Sequence, residues 1–120
     1  MIHHVVLGVS DLEGSAAFYD SLLAPLGWRR HLEDDGMIGW GLAYPVFFDS
    51  EDTKTKPTHG LVCFSAPGIA AVKAAWESGI ARGGNDITGP GESRRTGSGS
   101  YSAFLADPDG HSIEITVSSE

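Results

Sequence analysis

The side chains that could carry chemistry include two near the ends of the chain. His4 follows Ile2 in an alternating strand pattern, and Glu114 stands between Ile113 and Ile115. Alternation places Glu114 on the strand face opposite the two isoleucines. If that face lines a cavity, the buried carboxylate needs a metal or a cation as its partner. Both His4 and Glu114 are therefore candidates for a metal-binding or cavity role.

A glycine-rich segment and several aromatic residues could contact a ligand. Arg94 and Arg95 lie within residues 89–100, a Gly- and Ser-rich stretch expected to form a mobile loop, beside Tyr101. Arginine in such a loop can close over a carboxylate or phosphate, because the guanidinium offers a planar fork of donors. Aromatic residues such as Trp40 supply enough area to form part of a cavity wall.

Length and charge limit the possible functions. The 120 residues suit one compact domain, and 8 Lys and Arg against 16 Asp and Glu give a net charge of −8. This charge argues against binding to nucleic acid or to an anionic membrane surface. No apolar run reaches the roughly 18 residues of a membrane span, and no signal pattern opens the chain. Cys63 is the only cysteine, so no intrachain disulfide can form; we expect it to be buried and the protein to be cytoplasmic.

The first half of the chain predicts the order strand, helix, strand, strand, strand. Ser10 and Glu13 have the spacing of a capping box at the start of the helix. The helix stripe includes Tyr19 and ends before Gly27. The predicted strands cover residues 2–9, 28–32, 37–43 and 46–49.

After a polar linker at about 51–57, the same order begins again. Helix residue Tyr19 aligns with Trp76 at an offset of 57, and residues 42–45 align with 105–108 at an offset of 63. The predicted strands of this half cover residues 61–64, 85–88, 101–106 and 112–117. The sequence thus predicts one α+β domain of two βαβββ modules, at about 1–50 and 58–120.

The two ends of the chain carry motifs of a known family. Residues 2–13, IHHVVLGVSDLE, and residues 107–114, DPDGHSIE, resemble the first strand with its helix cap and the final hairpin of the glyoxalase/bleomycin-resistance/extradiol-dioxygenase superfamily, the vicinal oxygen chelate proteins. Phe18-Tyr19 and Gly27-Trp28 are similar to its usual continuation, so the resemblance covers nearly the whole chain. It implies a glyoxalase-like fold, in which the two modules form a curved mixed sheet around a cavity. It also implies a homodimer whose modules combine to enclose the sites.

The resemblance further implies one divalent metal, Zn, Mn, Fe or Ni, acting as a Lewis acid. The family draws its ligands from the first and last strands of each module, which carries over to His4 and Glu114. At the matching place in the second module stands Leu61, which cannot bind metal, and His59, two residues earlier, is expected to substitute. In the last strand of the first module, the nearest candidate is Asp49.

Two functions are favoured at this point, and the sequence neither supports nor excludes a third, a catalytically silent partner domain. The preferred one is a metal-dependent lyase, isomerase or dioxygenase acting on a small oxygen-bearing substrate. The other is a metal-free binding or resistance protein that sequesters an aromatic ligand in the dimer groove, which Leu61 and the acidic charge favour. In either case the expected ligand contacts are Arg94, Arg95, Tyr101 and Trp40. His111 replaces the family's usual Asn in a tight turn, and a role in that turn is expected.

Overall fold

The computed structural model describes residues 2–57, 59–93 and 99–118. The first module consists of β1 (Val5–Val9), α1 (Leu12–Leu23), a short 3-10 helix (Ala24–Leu26), β2 (Arg29–Asp34), β3 (Met37–Gly41) and β4 (Phe47–Glu51). The second consists of β5 (Leu61–Ser65), α2 (Ile69–Ala81), β6 (Asn85–Ser93), β7 (Ser100–Ala106) and β8 (Ser112–Ser118). Each module forms its own four-stranded mixed sheet, in the order β1-β4-β3-β2 or β5-β8-β7-β6. The predicted α+β fold and its internal repeat are confirmed, but the two sheets do not close into one.

Each sheet has one face packed against the helices and one face turned away from them. We call these the helix face and the open face. In β1 and β4, Leu7 aligns with Asp49 on the helix face, whereas Val6 aligns with Phe48 on the open face. Because side chains alternate along a strand, each neighbouring residue lies on the opposite face.

The start of α1 differs from the predicted capping box. Asp11 caps the helix, and its carboxylate accepts a hydrogen bond of 3.1 Å from the backbone N–H of Gly14. The N–H of Ser10 is already engaged, since it donates to the carboxylate of Asp109 in the second module at 3.0 Å. The prediction of Ser10 as the cap was wrong, because Asp109 binds the Ser10 N–H group that the Glu13 side chain would bind in a capping box.

A single hydrophobic core joins the two modules. The ring of Tyr19 on α1 lies 4.8 Å from that of Phe47 on β4, and Phe47 lies 5.0 Å from Phe64 on β5. Such tilted and T-shaped ring pairs add to the stabilisation that burial itself provides. No helix among the described residues is long and apolar enough to cross a membrane.

A buried carboxylate, Asp107, connects α1 to the turn between β7 and β8. One of its oxygens accepts hydrogen bonds from the Tyr19 hydroxyl at 2.5 Å and from His111 Nδ1 at 2.8 Å. The other oxygen accepts from the backbone N–H groups of Asp109 and His111. Burial alone would raise the pKa of Asp107, but the bonds from His111 and Tyr19 outweigh it and hold that pKa below its usual value.

The hairpin of β6 and β7 is longer than predicted. Residues 89–93, expected to belong to a mobile loop, continue β6, with Gly91 aligned with Ser102 and Glu92 with Tyr101. Of two register shifts in β6, the one between Thr88 and Gly91 admits Gly89 and Pro90 without ending the strand. The loop prediction was therefore wrong for this part, and residues 94–98 lie outside the described residues.

Replacing Tyr19 with Phe tests the link between the modules. Tyr19→Phe removes only the hydroxyl, and Asp107 keeps its three other donors, so we expect a loss of about 1–2 kcal/mol in the free energy of unfolding. Urea denaturation followed by tryptophan fluorescence measures this loss. The matched control is Tyr44→Phe, since Tyr44 is 67% exposed and should tolerate the change. Equal stabilities for both variants would contradict a supporting role for this hydrogen bond.

Candidate functional site

His4 lies just before β1 beside an apolar ring. Its imidazole is 5.6 Å from the ring of Phe48, and its Nδ1 is 2.8 Å from Nδ1 of His3. Phe48 occupies the open face of β4, and a Cβ added to Gly39 would come within 2.7 Å of its ring. Glycine at position 39 thus leaves room for Phe48. The apolar ring of Phe48 therefore occupies the place beside His4 where a second metal ligand would be needed.

Asp49 lies on the helix face of β4 and is fully buried. The hydroxyl of Ser15 on α1 donates to Asp49 Oδ2 at 2.5 Å, while Oδ1 has no hydrogen-bond partner among the residues that the structure describes. Burial raises the pKa of this carboxyl from 3.8 to about 7. A strand residue cannot change faces without a register shift, so Asp49 cannot join His4 in one site.

The second module carries the remaining predicted metal ligands, Glu114 in β8 and His59 in the loop before β5. Glu114 aligns with Cys63 in the parallel pair of β8 and β5, and both belong to the open face. The Glu114 side chain is buried, whereas Cys63 is exposed. The expectation of a buried Cys63 was wrong because Val62 and Phe64, its neighbours, take the core side of the strand.

The predicted metal ligands do not form a cluster. His59 is exposed in the loop before β5 and lines a cleft with His111. Within residues 2–57, 59–93 and 99–118, no group of three or more His, Cys, Asp and Glu side chains is placed to hold a metal ion. Among the described residues, the predicted donors are therefore not brought together into a metal site.

Two of the expected ligand contacts serve the core instead. Trp40 is fully buried on the helix face of β3, and its indole N–H donates to Asp20 at 2.9 Å. Tyr101 packs on the α2 side of β7, where Lys73 Nζ lies 6.0 Å from its ring centre. Arg94 and Arg95 lie outside the described residues.

A cleft of about 340 Å³ opens between the two modules at the start of β1; we call it the inter-sheet cleft. Aromatic rings form much of its wall, and the ring of Trp28 meets that of Phe64 edge to face at 5.4 Å. The polar side chains that line it are those of His3, His4, Cys63 and Tyr44. Its other lining residues are Ile2, Val5, Val46, Phe47 and Val62.

Sequence patterns had not assigned most of this cleft to one site. Trp28 follows α1 and Phe64 lies in β5, so their contact joins residues 36 positions apart along the chain. His3, which is exposed, also lines the cleft. The only local signal was the number of aromatic residues, which does not say which of them meet.

The buried Asp49 makes stability depend on pH. The folded protein holds the Asp49 proton up to about pH 7, whereas an unfolded carboxyl releases it near 3.8. Below pH 4, Asp49 therefore makes its full contribution to the free energy of unfolding. This contribution is lost as the pH rises to 7, and the total decrease is about 4 kcal/mol. We expect the wild-type free energy of unfolding to fall over this window and the Asp49→Asn variant to lose that slope.

Denaturation series between pH 4.5 and 7 measure the difference. His111, whose pKa is raised by Asp107, also lowers the free energy of unfolding, but only as the pH passes above the ordinary histidine pKa. This decrease is the same in the wild type and in Asp49→Asn. Asp86→Asn, which alters an exposed carboxylate, is the matched control and should keep the wild-type slope. Parallel curves for wild type and Asp49→Asn would show that Asp49 is not protonated in the folded protein.

Comparisons with known proteins match this fold and its motifs. A crystal structure of a glyoxalase/bleomycin resistance protein from Albidiferax ferrireducens T118 is 32% identical, with a TM-score of 0.84 over 95% of this chain and 96% of that one. A glyoxalase/bleomycin resistance protein/dioxygenase family enzyme from Burkholderia phytofirmans PsJN shares the fold, with a TM-score of 0.77 at 18% identity over 98% of both chains.

A curated relative has a similar length. The uncharacterized protein YqjT of Bacillus subtilis (strain 168) is 28% identical, and the match covers 98% of this chain and 99% of the relative. The family model of the Glyoxalase/Bleomycin resistance protein/Dioxygenase superfamily matches residues 1–115. Since this match takes in both modules and both end motifs, the chain belongs to that superfamily.

Proposed function

We propose that this protein binds a small aromatic molecule without a metal, and that the inter-sheet cleft receives it. The observation that carries the proposal is the cleft itself, an aromatic-lined space of about 340 Å³. Its volume falls in the range of small-molecule sites, which are mostly apolar with a few polar groups that fix orientation. Trp28 and Phe64 offer ring edges and faces to an aromatic ligand.

The two histidines give the cleft its polar contacts. Only one of the two facing Nδ1 atoms of His3 and His4 carries a proton when both rings are neutral. The pair then presents one Nε2–H donor and one bare Nε2 acceptor, which suits a hydroxyl or amine substituent. The net charge of −8 disfavours anionic ligands and favours neutral or cationic ones.

A metal-dependent lyase, isomerase or dioxygenase would need a different set of side chains. Of the four expected ligands, His4 and Glu114 lie on open faces, whereas Asp49 lies on a helix face and His59 lies in a loop. Leu61 and Phe48 add apolar surface to the open faces instead of oxygen or nitrogen ligands. These placements support binding rather than metal-dependent catalysis.

A homodimer is part of the proposal. The open faces expose Val6 and Leu61, which are 46% and 37% accessible. In the described part of the chain, β1 and β5 are the end strands of their sheets, and a second copy can cover such edges. We also propose a cytoplasmic location, which a chain with a single exposed thiol suits.

Binding of indole and tryptamine after treatment with a chelator tests the proposed function. We expect titration calorimetry to detect binding in the absence of metal, with tryptamine at least as tight as indole because of the acidic protein. Trp28→Ala should weaken binding about tenfold, the loss expected for one stacking ring. Trp76→Phe is the control, since Trp76 lies on α2 and does not line the cleft. Binding that appears only after a divalent metal is added would favour the metal-dependent enzyme.

Light scattering coupled to size exclusion tests the homodimer. The expected mass is twice 12.7 kDa for the wild type. Val6→Asp should shift the protein toward monomer, because it places a charge on the open face beside Phe48. Ile87→Asp, at another exposed apolar residue on β6, is the matched control and should remain dimeric. A wild-type monomer at micromolar concentration would contradict the proposal.

A further inference from the structure

A second cleft lies between the first strands of the two modules, and we call it the β1–β5 cleft. Its volume is about 240 Å³. It is lined by Leu7 of β1, by Pro57, His59, Gly60, Leu61 and Val62 in and before β5, and by Gly110, His111 and Ser112 at the start of β8. An apolar cavity of about 150 Å³ already admits a benzene ring, so this space suits one substituted ring.

His111 is held in one orientation on the wall of this cleft. Its Nδ1 lies 2.8 Å from Asp107 Oδ2, and Asp107 is 1% exposed. Because Asp107 has a low pKa and can only accept, Nδ1 must carry the proton. Nε2 is then the ring nitrogen left for a molecule in the cleft, as in histidines that a carboxylate orients for acid–base work.

The turn does not need this imidazole. Gly110 supplies the left-handed conformation with φ 98°, and backbone groups close the turn through bonds from Gly110 to the Asp107 carbonyl and from Asp107 to the His111 carbonyl. The expected turn role of His111 is thus fulfilled by its backbone, and the side chain adds a proton-exchanging group facing an apolar space.

We propose that the β1–β5 cleft is a second small-molecule site, and that His111 Nε2 accepts a hydrogen bond from the hydroxyl of a monocyclic phenol-like ligand. A phenol is a good donor to a neutral imidazole, and the Asp107 carboxylate makes that imidazole a better acceptor. The apolar side chains of Leu7 and Val62 contact the ring of the ligand. The site is distinct from the inter-sheet cleft, although Val62 lines both clefts.

The charges around His111 set the pH range of binding. Asp107, Asp109 and Asp49 all raise the pKa of His111, and His59 lies across the cleft. Since the ligand hydroxyl donates a hydrogen bond to neutral imidazole, binding should strengthen as the pH rises past the His111 pKa. It should weaken again near pH 10, where phenols ionise. For the same reason, bound ligand should lower the His111 pKa.

The test uses 4-methylphenol, with toluene as the matched probe that lacks the hydroxyl. In NMR titrations of the whole protein, we expect 4-methylphenol to shift the signals of Leu7, Leu61 and His111, which line only the β1–β5 cleft, and to bind there about tenfold more tightly than toluene. It should also lower the pKa read from the His111 ring signals. His111→Asn, which keeps the turn, should reduce the affinity read from the Leu7 signals about tenfold, whereas Trp28→Ala in the other cleft should leave the affinity read from Leu7 unchanged.

Three results would overturn the proposal. These are equal affinity for the two probes, a His111 pKa that saturating 4-methylphenol leaves unchanged, or shifts confined to the inter-sheet cleft. The pKa measurement is made on wild-type protein, so it decides the question even if His111→Asn fails to fold. Failure of indole to bind the inter-sheet cleft would leave these readouts intact, so the two proposals can fail separately.

Discussion

The structure depends on the carboxylate of Asp107, which is buried at the junction of the two modules and is satisfied by four donors. Two of them, the Tyr19 hydroxyl and the His111 ring, come from side chains, and two come from the backbone of its own turn. A buried charge is tolerated only when it is paired and hydrogen-bonded. Tyr19 can supply its bond only if α1 lies against the β7–β8 turn, so this requirement fixes how the two modules dock.

The alternation of side chains along the strands decides which chemistry the sheets can offer. Asp49 and Phe48 are adjacent in β4 and therefore lie on opposite faces. Asp49 is buried on the helix face, whereas Phe48 contacts His4 on the open face. The same rule places Cys63 beside Glu114 and turns Phe64 into the core. The fold of the superfamily is thus kept, while apolar residues hold positions on the open faces where a metal site would need donors.

Two clefts between the modules give this chain its binding potential. Both combine residues from β1 and β5, which belong to different sheets. The larger is lined by aromatic rings and a histidine pair, and the smaller by aliphatic side chains and the His111 imidazole held by Asp107. Each pairs an apolar wall with a polar group of defined orientation, which is the general form of a site for a small ligand.

The sequence by itself determined the order of elements, the repeat and the family, because these follow from local periodicity and from two motifs at the chain ends. It also marked His4, Glu114 and Trp28 as residues of interest. It could not place Asp49, Trp40 or Tyr101, whose faces depend on strand register, nor could it predict that Asp109 would occupy the N–H of Ser10. Only the tertiary structure decided which side chains meet, because the clefts and the Asp107 junction arise where two modules dock, through contacts between residues far apart in the chain.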